Sequence, residues 1–418
     1  MEAVPVERWA AVDWGSESHQ VVVIDAEGKR LDAFRVAHTP GGLEELLGCL
    51  RRQAPISAVA VETVQGLLVE KLLEGGLAVY PINPKLSHAW RQGRSVAGSK
   101  SDVLDAELLA EGLRQNHKKL KLFRPDDPLT RQLALLCRDE CQLIAERTAL
   151  VLRLEATLKL YYAAALEWFS DWTSPAAWDF VLAFPRPEDL LKASRRKLIG
   201  FLKTHHIGLS PIWLQRFERR GEAAHWPSDP ATIQAKSLLA IGLAKQLHTL
   251  RAVLDQYREQ IEQLYGNHPD ASLFSSLPGT GPKLGPRMLC CFGADRSRYD
   301  SAKPLMALGG CVPVTRQSGK HRTVSFRHAC RKDARNTLTL FAMETLNKSP
   351  WARLFYDQAR ARGQSHFHAL RNLACKWIKI IYRLWQEHKP YDERLYLASL
   401  IRHRSPLVAQ LKPLITGG

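Results

Sequence analysis

The sequence predicts an α/β N-terminal domain, a long helical middle and a mainly helical C-terminal domain. Three observations carry this expectation. Strand-like and helix-like patterns alternate through the first 115 residues. No glycine or proline occurs from Leu129 to Ser174, a stretch about 70 Å long if helical throughout. Leu243, Leu247, Leu250, Leu254, Tyr257, Ile261 and Leu264 alternate spacings of four and three, a coiled-coil signal. The expected domain limits are 1–125, 126–270 and 271–418.

Taken in order, "RWAAVDWG" reads as a buried strand ending at Asp13. "QVVVIDAEGKRLDAFRVA" reads as two strands joined by the turn Ala26-Glu27-Gly28-Lys29. "GGLEELLGCLRRQ" predicts a helix, and "ISAVAVET" an apolar strand ending at Glu62. "LLVEKLLEGG" is a helix with a glycine stop, and "LAVYPINP" a fifth strand. "KSDVLDAELLAEGL" opens the next helix. Three strands, helix, strand, helix, strand, helices is the order of a ribonuclease-H-like domain. Residues 175–230, rich in Trp, Pro and basic side chains, read as an irregular helical connector. The two long helical segments form either an arm within one chain or a zipper between subunits.

Lys plus Arg total 59 against 42 Asp plus Glu, a net charge of +17. Such an excess favours a polyanionic partner, nucleic acid before an anionic membrane surface. The eight cysteines form no Cys-x-x-Cys and no zinc spacing, which fits reduced thiols in a cytoplasmic protein. "MEAVPVERWAAVDWG" is not a signal peptide, and no apolar run reaches membrane-spanning length.

Asp13 and Glu62 end strands that neighbour each other in this sheet order, so their side chains can converge. Asp102 and Asp105 lie three apart on one helix face. That face can cross the same sheet edge. Singly, each is an ordinary strand-end or first-turn acid; together they cannot all stay ionised without a cation. Hard oxygen ligands suit Mg²⁺ or Mn²⁺, and paired ions would polarise a phosphodiester. Lys100 would then neutralise a nearby phosphate.

Farther on, "LPGTGPKLGPRML" carries the Gly-x-Gly turn of a helix-hairpin-helix element at Gly279 and Gly281, whose amides can face phosphate. The plain alternative is a helix-start loop, and Pro286 is awkward inside the following helix. Residues 313–338 hold Arg316, Lys320, Arg322, Arg327, Arg331, Lys332 and Arg335 against Asp333 alone, a pattern suited to phosphate contact. Ser318 lies within this stretch in Gln-Ser-Gly-Lys, either a turn residue or a nucleophile activated by nearby cations.

With these residues in place, the chain resembles a transposase of the insertion-sequence-110 family. The matching parts are Asp13 in "AVDWG", Glu62 in "AVET", Asp102 and Asp105 in "KSDVLDA", and Ser318 in "TRQSGKHR". The resemblance implies a RuvC-like Asp-Glu-Asp-Asp domain with carboxylate-held Mg or Mn, a coiled-coil middle and a C-terminal domain with a serine nucleophile. It implies cutting and rejoining of DNA through a serine–phosphate intermediate, and a guide RNA pairing with donor and target DNA. It further implies a homo-oligomer, two dimers, at the nucleoid of a bacterium or archaeon, without a membrane partner. Three other readings compete. A RuvC-like nuclease or junction resolvase would not need Ser318. A phosphotransferase of the actin and sugar-kinase superfamily would need a second phosphate loop, which the sequence lacks. A non-catalytic scaffold would bind nucleic acid without cutting it.

Overall fold

Valine and alanine alternate along the central strands of the N-terminal sheet, and that alternation decides which face each helix covers. The structure, a computed structural model, describes residues 7–53, 55–64, 66–94, 101–220, 229–405 and 407. Five strands form the sheet: β1 (Arg8–Asp13), β2 (Ser18–Ile24), β3 (Arg30–Ala37), β4 (Ile56–Val61) and β5 (Val79–Pro81). Their order is β3-β2-β1-β4-β5. The first three pair antiparallel, while β1, β4 and β5 run parallel. Strands β1 and β4 are therefore neighbours, as the sequence order demands.

Val12, Val21, Val23, Val59 and Val61 pack with leucines of α1 (Pro40–Arg52) and α2 (Leu67–Glu74). The opposite face offers Trp9, Ala11, Val22, Ile24, Ala58 and Ala60. Between these two helices and the next long one comes α3 (Pro84–Arg94), an element the sequence reading did not single out. Its start was legible: Asn83 accepts from the Lys85 amide at 2.9 Å, and Pro84 occupies the first turn. Helix α4 (Asp102–Asn116) lays Ala106, Leu109, Ala110 and Leu113 on the alanine-rich face. Small side chains on both sides let the helix backbone approach the sheet. At Gly112 a Cβ would stand 2.2 Å from the Trp90 ring, so only glycine fits there.

The chain divides into two compact units at Pro125/Asp126. The second begins with α5 (Pro128–Tyr161), capped by Asp127, whose carboxylate accepts from the Thr130 amide. This helix stops well before Ser174, the end of the glycine- and proline-free run, although no breaker intervenes. Tertiary burial ends it. The Tyr161 hydroxyl donates to Pro185 O at 2.8 Å, and Tyr162, Trp168, Phe169, Trp172, Trp178, Phe180 and Phe184 form one aromatic core. A continued helix would strand those rings in water, and each ring's buried area outweighs a few residues of helix propensity.

Among the described residues, four short α-helices follow in this region: α6 (Pro175–Ala183), α7 (Pro187–Lys192), α8 (Arg195–Thr204) and α9 (Pro211–Glu218). The long α10 (Pro230–Gly266) then returns along α5. Thr130 meets His268, Glu140 meets Arg258, and Leu154 and Leu158 share a core with Leu243 and Leu247, so the two helices run antiparallel. The alternating apolar row of α10 is thus used within the chain: Leu243, Leu247, Leu254 and Ile261 are buried. Glu140 is almost fully buried between Arg258 and Arg287 (3.4 and 2.7 Å), which joins the helix pair to the remainder of the unit.

That remainder comprises α11 (Ala271–Ser275), α12 (Gly281–Phe292), α13 (Ala302–Leu308), a hairpin of β6 (Val314–Ser318) and β7 (His321–Ser325), and α14 (Lys332–Glu344). It continues through α15 (Pro350–Ala361), α16 (His366–Glu387) and α17 (Glu393–Arg402). Phe292, Phe341, Trp351, Trp377 and Trp385 anchor its core. Pro286 is accommodated inside α12 near its start, where its missing amide leaves only the first-turn Pro282 carbonyl without an intrahelical donor. Among the described residues, no helix is long and apolar enough to cross a membrane.

Candidate active site

Parallel pairing sets Val12 beside Val61, so the next residues of β1 and β4, Asp13 and Glu62, emerge together at one sheet edge. By alternation both belong to the face that α4 covers. Ser101 caps α4 by accepting from the Leu104 amide at 3.2 Å, which fixes the first turn holding Asp102 and Asp105.

The two helix acids then diverge. Asp105 is buried and meets Arg91 of α3 at 2.9 Å. Asp102 is 57% exposed and meets Arg35 of β3 at 2.6 Å. Glu62 takes a short hydrogen bond from the Ser87 hydroxyl, which also lies 3.1 Å from the Pro84 carbonyl. Arg35, Ser87 and Arg91 were not anticipated. Only Arg91 and Ser87 left a trace in the sequence, as polar residues four apart just after the fifth strand.

Asp13 reports how these charges add. Burial, then Glu62, Asp105 and Asp102, raise its pKa from 3.8 to about 6, with Arg91 opposing. The four carboxylates are therefore linked electrostatically at Asp13, even though Glu62, Asp102 and Asp105 each have a separate partner. Among the described residues, no three Asp, Glu, His or Cys side chains stand close enough to hold an ion together as they are oriented. In kind, the donors fit a hard divalent cation: all are carboxylates, and their mutual repulsion is what such an ion offsets. Behind Asp13, buried His19 accepts the Gly15 amide at 3.4 Å and meets His38 at 2.8 Å, pinning the β1–β2 turn. Burial and then His38 lower the His19 pKa, which disfavours its charged form. Lys100 lies outside the described residues.

In the second unit, Ser318 ends β6 and pairs with His321 across a two-residue turn. Gly319 supplies the left-handed backbone that such a turn requires, with φ +55°. Every residue from Thr315 to Phe326 is exposed, Ser318, Arg316, Lys320 and Arg322 included. The other cations expected at phosphate are placed differently. Arg327 donates to Val312 O at 3.2 Å, Arg331 pairs with Asp333 at 2.6 Å, and Arg335 donates to Arg327 O. Lys332 is exposed at the start of α14. Gly279, in the turn between α11 and α12, and Gly281, the first residue of α12, both adopt positive φ. Gly279 backs onto Glu344, whereas Gly281 is exposed.

Two family models match the chain. The DEDD-type IS110 transposase model covers residues 10–163, and the model of the "Transposase IS116/IS110/IS902 family" covers 271–357, together more than half of the sequence. The chain belongs to the IS110 transposase family. It is similar to the "Mini-circle putative transposase for IS117" of Streptomyces coelicolor, 29% identical over 94% of this chain and 97% of the relative. The IS110 43.6 kDa protein of the same organism is 26% identical over 71% of this chain and 73% of its own. A "Pilin gene-inverting protein" of Moraxella bovis is 28% identical over 34% of this chain and 46% of its own. A solved structure of T. thermophilus RuvC with a Holliday junction substrate aligns with 29% of this chain and all of that one, at 16% identity and TM-score 0.23. The α/β character of the N-terminal unit rests on its own strand order, not on that alignment. As a family member, the chain is a transposase and site-specific recombinase.

Proposed function

We propose that this transposase cuts and rejoins DNA through Ser318, in concert with divalent ions held by a ribonuclease-H-like, RuvC-type site made of Asp13, Glu62, Asp102 and Asp105. The observation that carries the proposal is the strand register that brings Asp13 and Glu62 out together at the ends of β1 and β4, on the face covered by α4 with its Asp105. The raised pKa of Asp13 in the field of the other three carboxylates supports it. A group so arranged favours either a shared proton or a cation. Bound Mg²⁺ or Mn²⁺ would supply charge neutralisation at the phosphate.

The chain's own residues do the rest. The Ser318 Oγ attacks phosphorus and loses its proton. An Oγ–P bond forms, one bond from phosphorus to a deoxyribose oxygen breaks, and the released sugar oxygen is protonated. A sugar hydroxyl of the second duplex then reverses these events, which restores the serine and conserves phosphodiester energy. Arg316, Lys320 and Arg322 hold phosphates beside the serine on the exposed hairpin. Arg91 and Arg35 hold Asp105 and Asp102 in place, and Ser87 orients Glu62.

The charge excess of +17 supports a protein that holds a guide RNA as well as donor and target DNA. Base-pairing would then specify the site while the protein grips backbone. Assembly as two dimers would let the carboxylates and the serine of different subunits cooperate. The test is strand exchange by Ser318→Ala on DNA carrying the element's ends. Loss of exchange and of the covalent protein–DNA adduct is expected. Full exchange would support the metal-dependent nuclease reading, in which the four carboxylates act alone.

A further inference from the structure

The hairpin that bears Ser318 depends on its root for its aim. Among the described residues, strands β6 and β7 pair only with each other, and such a pair is marginal alone. Ser318 lies four residues beyond Val314, roughly 13 Å along an extended strand. Over that lever a tilt of about 10° at the root displaces the Ser318 hydroxyl by about 2 Å, while a 1 Å misplacement of a reacting group can cost about a hundredfold in rate.

At that root one aromatic ring is gripped from two helices. Phe326 directly follows β7. The guanidinium of Arg335, on α14, lies 4.5 Å from its ring centre, and that of Arg371, on α16, lies 4.8 Å away. The His328 ring meets Phe326 edge-on at 4.9 Å. The same Arg335 donates to the Arg327 carbonyl. It also fills the space against Gly310, where a Cβ would stand 2.5 Å from its terminal nitrogen. Arg327 in turn donates to Val312 O, just before β6. Both ends of the hairpin are thus tied to one stack, and a planar guanidinium can both stack and hydrogen-bond where an ammonium cannot. Yet Phe326 stays 38% exposed, more open than a core phenylalanine would be.

We propose that Phe326, held by the guanidiniums of Arg335 and Arg371, is a positioning residue that sets the aim of Ser318 at the scissile phosphate. This rests on the serine reading above. Arg335 and Arg371 serve the mount rather than phosphate, and the exposed Arg316, Lys320 and Arg322 serve the DNA.

The test separates aim from grip. Full-length protein with its RNA is mixed with a nicked duplex carrying the element's end, and two quantities are read: the rate of covalent adduct formation and the affinity for the duplex. Phe326→Ala is expected to slow adduct formation by about tenfold or more at unchanged affinity. Phe326→Tyr, which keeps the ring, is expected to restore the rate. Arg335→Lys, which keeps the charge but loses the plane, is expected to behave like Phe326→Ala. Arg371→Gln provides the same reading should the Arg335 variant fail to fold. An unslowed Phe326→Ala overturns the proposal. So does a Phe326→Ala that loses affinity in step with rate, which would make the ring a DNA contact. Ser318→Ala run alongside distinguishes the two levels. An adduct that persists there overturns the serine reading and the mount with it, whereas an adduct lost there but unslowed in Phe326→Ala overturns the mount alone.

Discussion

The carboxylate edge and the serine hairpin solve opposite problems. Asp13, Glu62 and Asp105 come from distant parts of the chain and are fixed by packing: valines on one sheet face, alanines under α4 on the other. Their cost is electrostatic, seen in an Asp13 that resists ionisation. Ser318 comes from a local turn that no core surrounds, and its charge environment is uniformly basic. Its difficulty is aim rather than repulsion. Mutations near the carboxylates should therefore act on stability and chemistry together. Mutations on the hairpin should act on chemistry or DNA affinity with little effect on the fold.

The largest effect expected is at the proposed nucleophile. Ser318→Ala should reduce strand exchange by about a thousandfold or more, with the thermal midpoint unchanged, because an exposed hydroxyl carries no packing. A shifted midpoint would mean that the hairpin is more integrated than its exposure indicates. Next comes a packing contrast. Gly112→Ala drives a methyl into the Trp90 ring and should cost about 1–3 kcal/mol of global stability while displacing Asp105. Val324→Ala, on an exposed strand position, should stay within about 0.5 kcal/mol. Equal costs in denaturant titrations would erase the distinction between the two regions.

A smaller effect tests the electrostatic cost. The fold raises the Asp13 pKa from 3.8 to about 6, so ionising Asp13 opposes folding. That penalty is absent below about pH 4, grows between pH 4 and 6, and is fully present above. Asp13→Asn removes it. Without divalent ions the variant should be more stable at pH 8 by about 1 kcal/mol, allowing for solvent screening of a half-exposed group, and equal to the parent at pH 4. It should also lose cleavage. A variant less stable at pH 8 would show that Asp13 is a structural partner instead. The smallest effects belong to Arg316, Lys320 and Arg322: each neutral substitution should weaken DNA binding and lower the salt-dependence slope by about one. An unchanged slope would move the DNA elsewhere on the unit.

Much of the first region could be read from the sequence because its signals are local. Runs such as Val21-Val22-Val23 mark strands, Gly28 marks a turn, and the strand order then brings Asp13 to Glu62. What could not be read was direction. Asp102 and Asp105, three apart, share a helix face in principle, yet one turns to Arg35 in solvent and the other to Arg91 inside. The row of cations at 316–335 looked uniform, but tertiary packing draws Arg327, Arg331 and Arg335 inward and leaves Arg316, Lys320 and Arg322 free to face solvent. The stop at Tyr161 was hidden for the same reason, since an aromatic core assembled from later residues ends the helix.

Carboxyl-selective ¹³C NMR of Asp13, followed through pH in the full chain without divalent ions, tests the shared site most directly. A midpoint near 6 that falls in Glu62→Gln and in Asp105→Asn, and falls again when Mg²⁺ is added to the parent, is the predicted result. A midpoint near 3.8, indifferent to both substitutions and to Mg²⁺, would contradict the claim that these carboxylates act as one group.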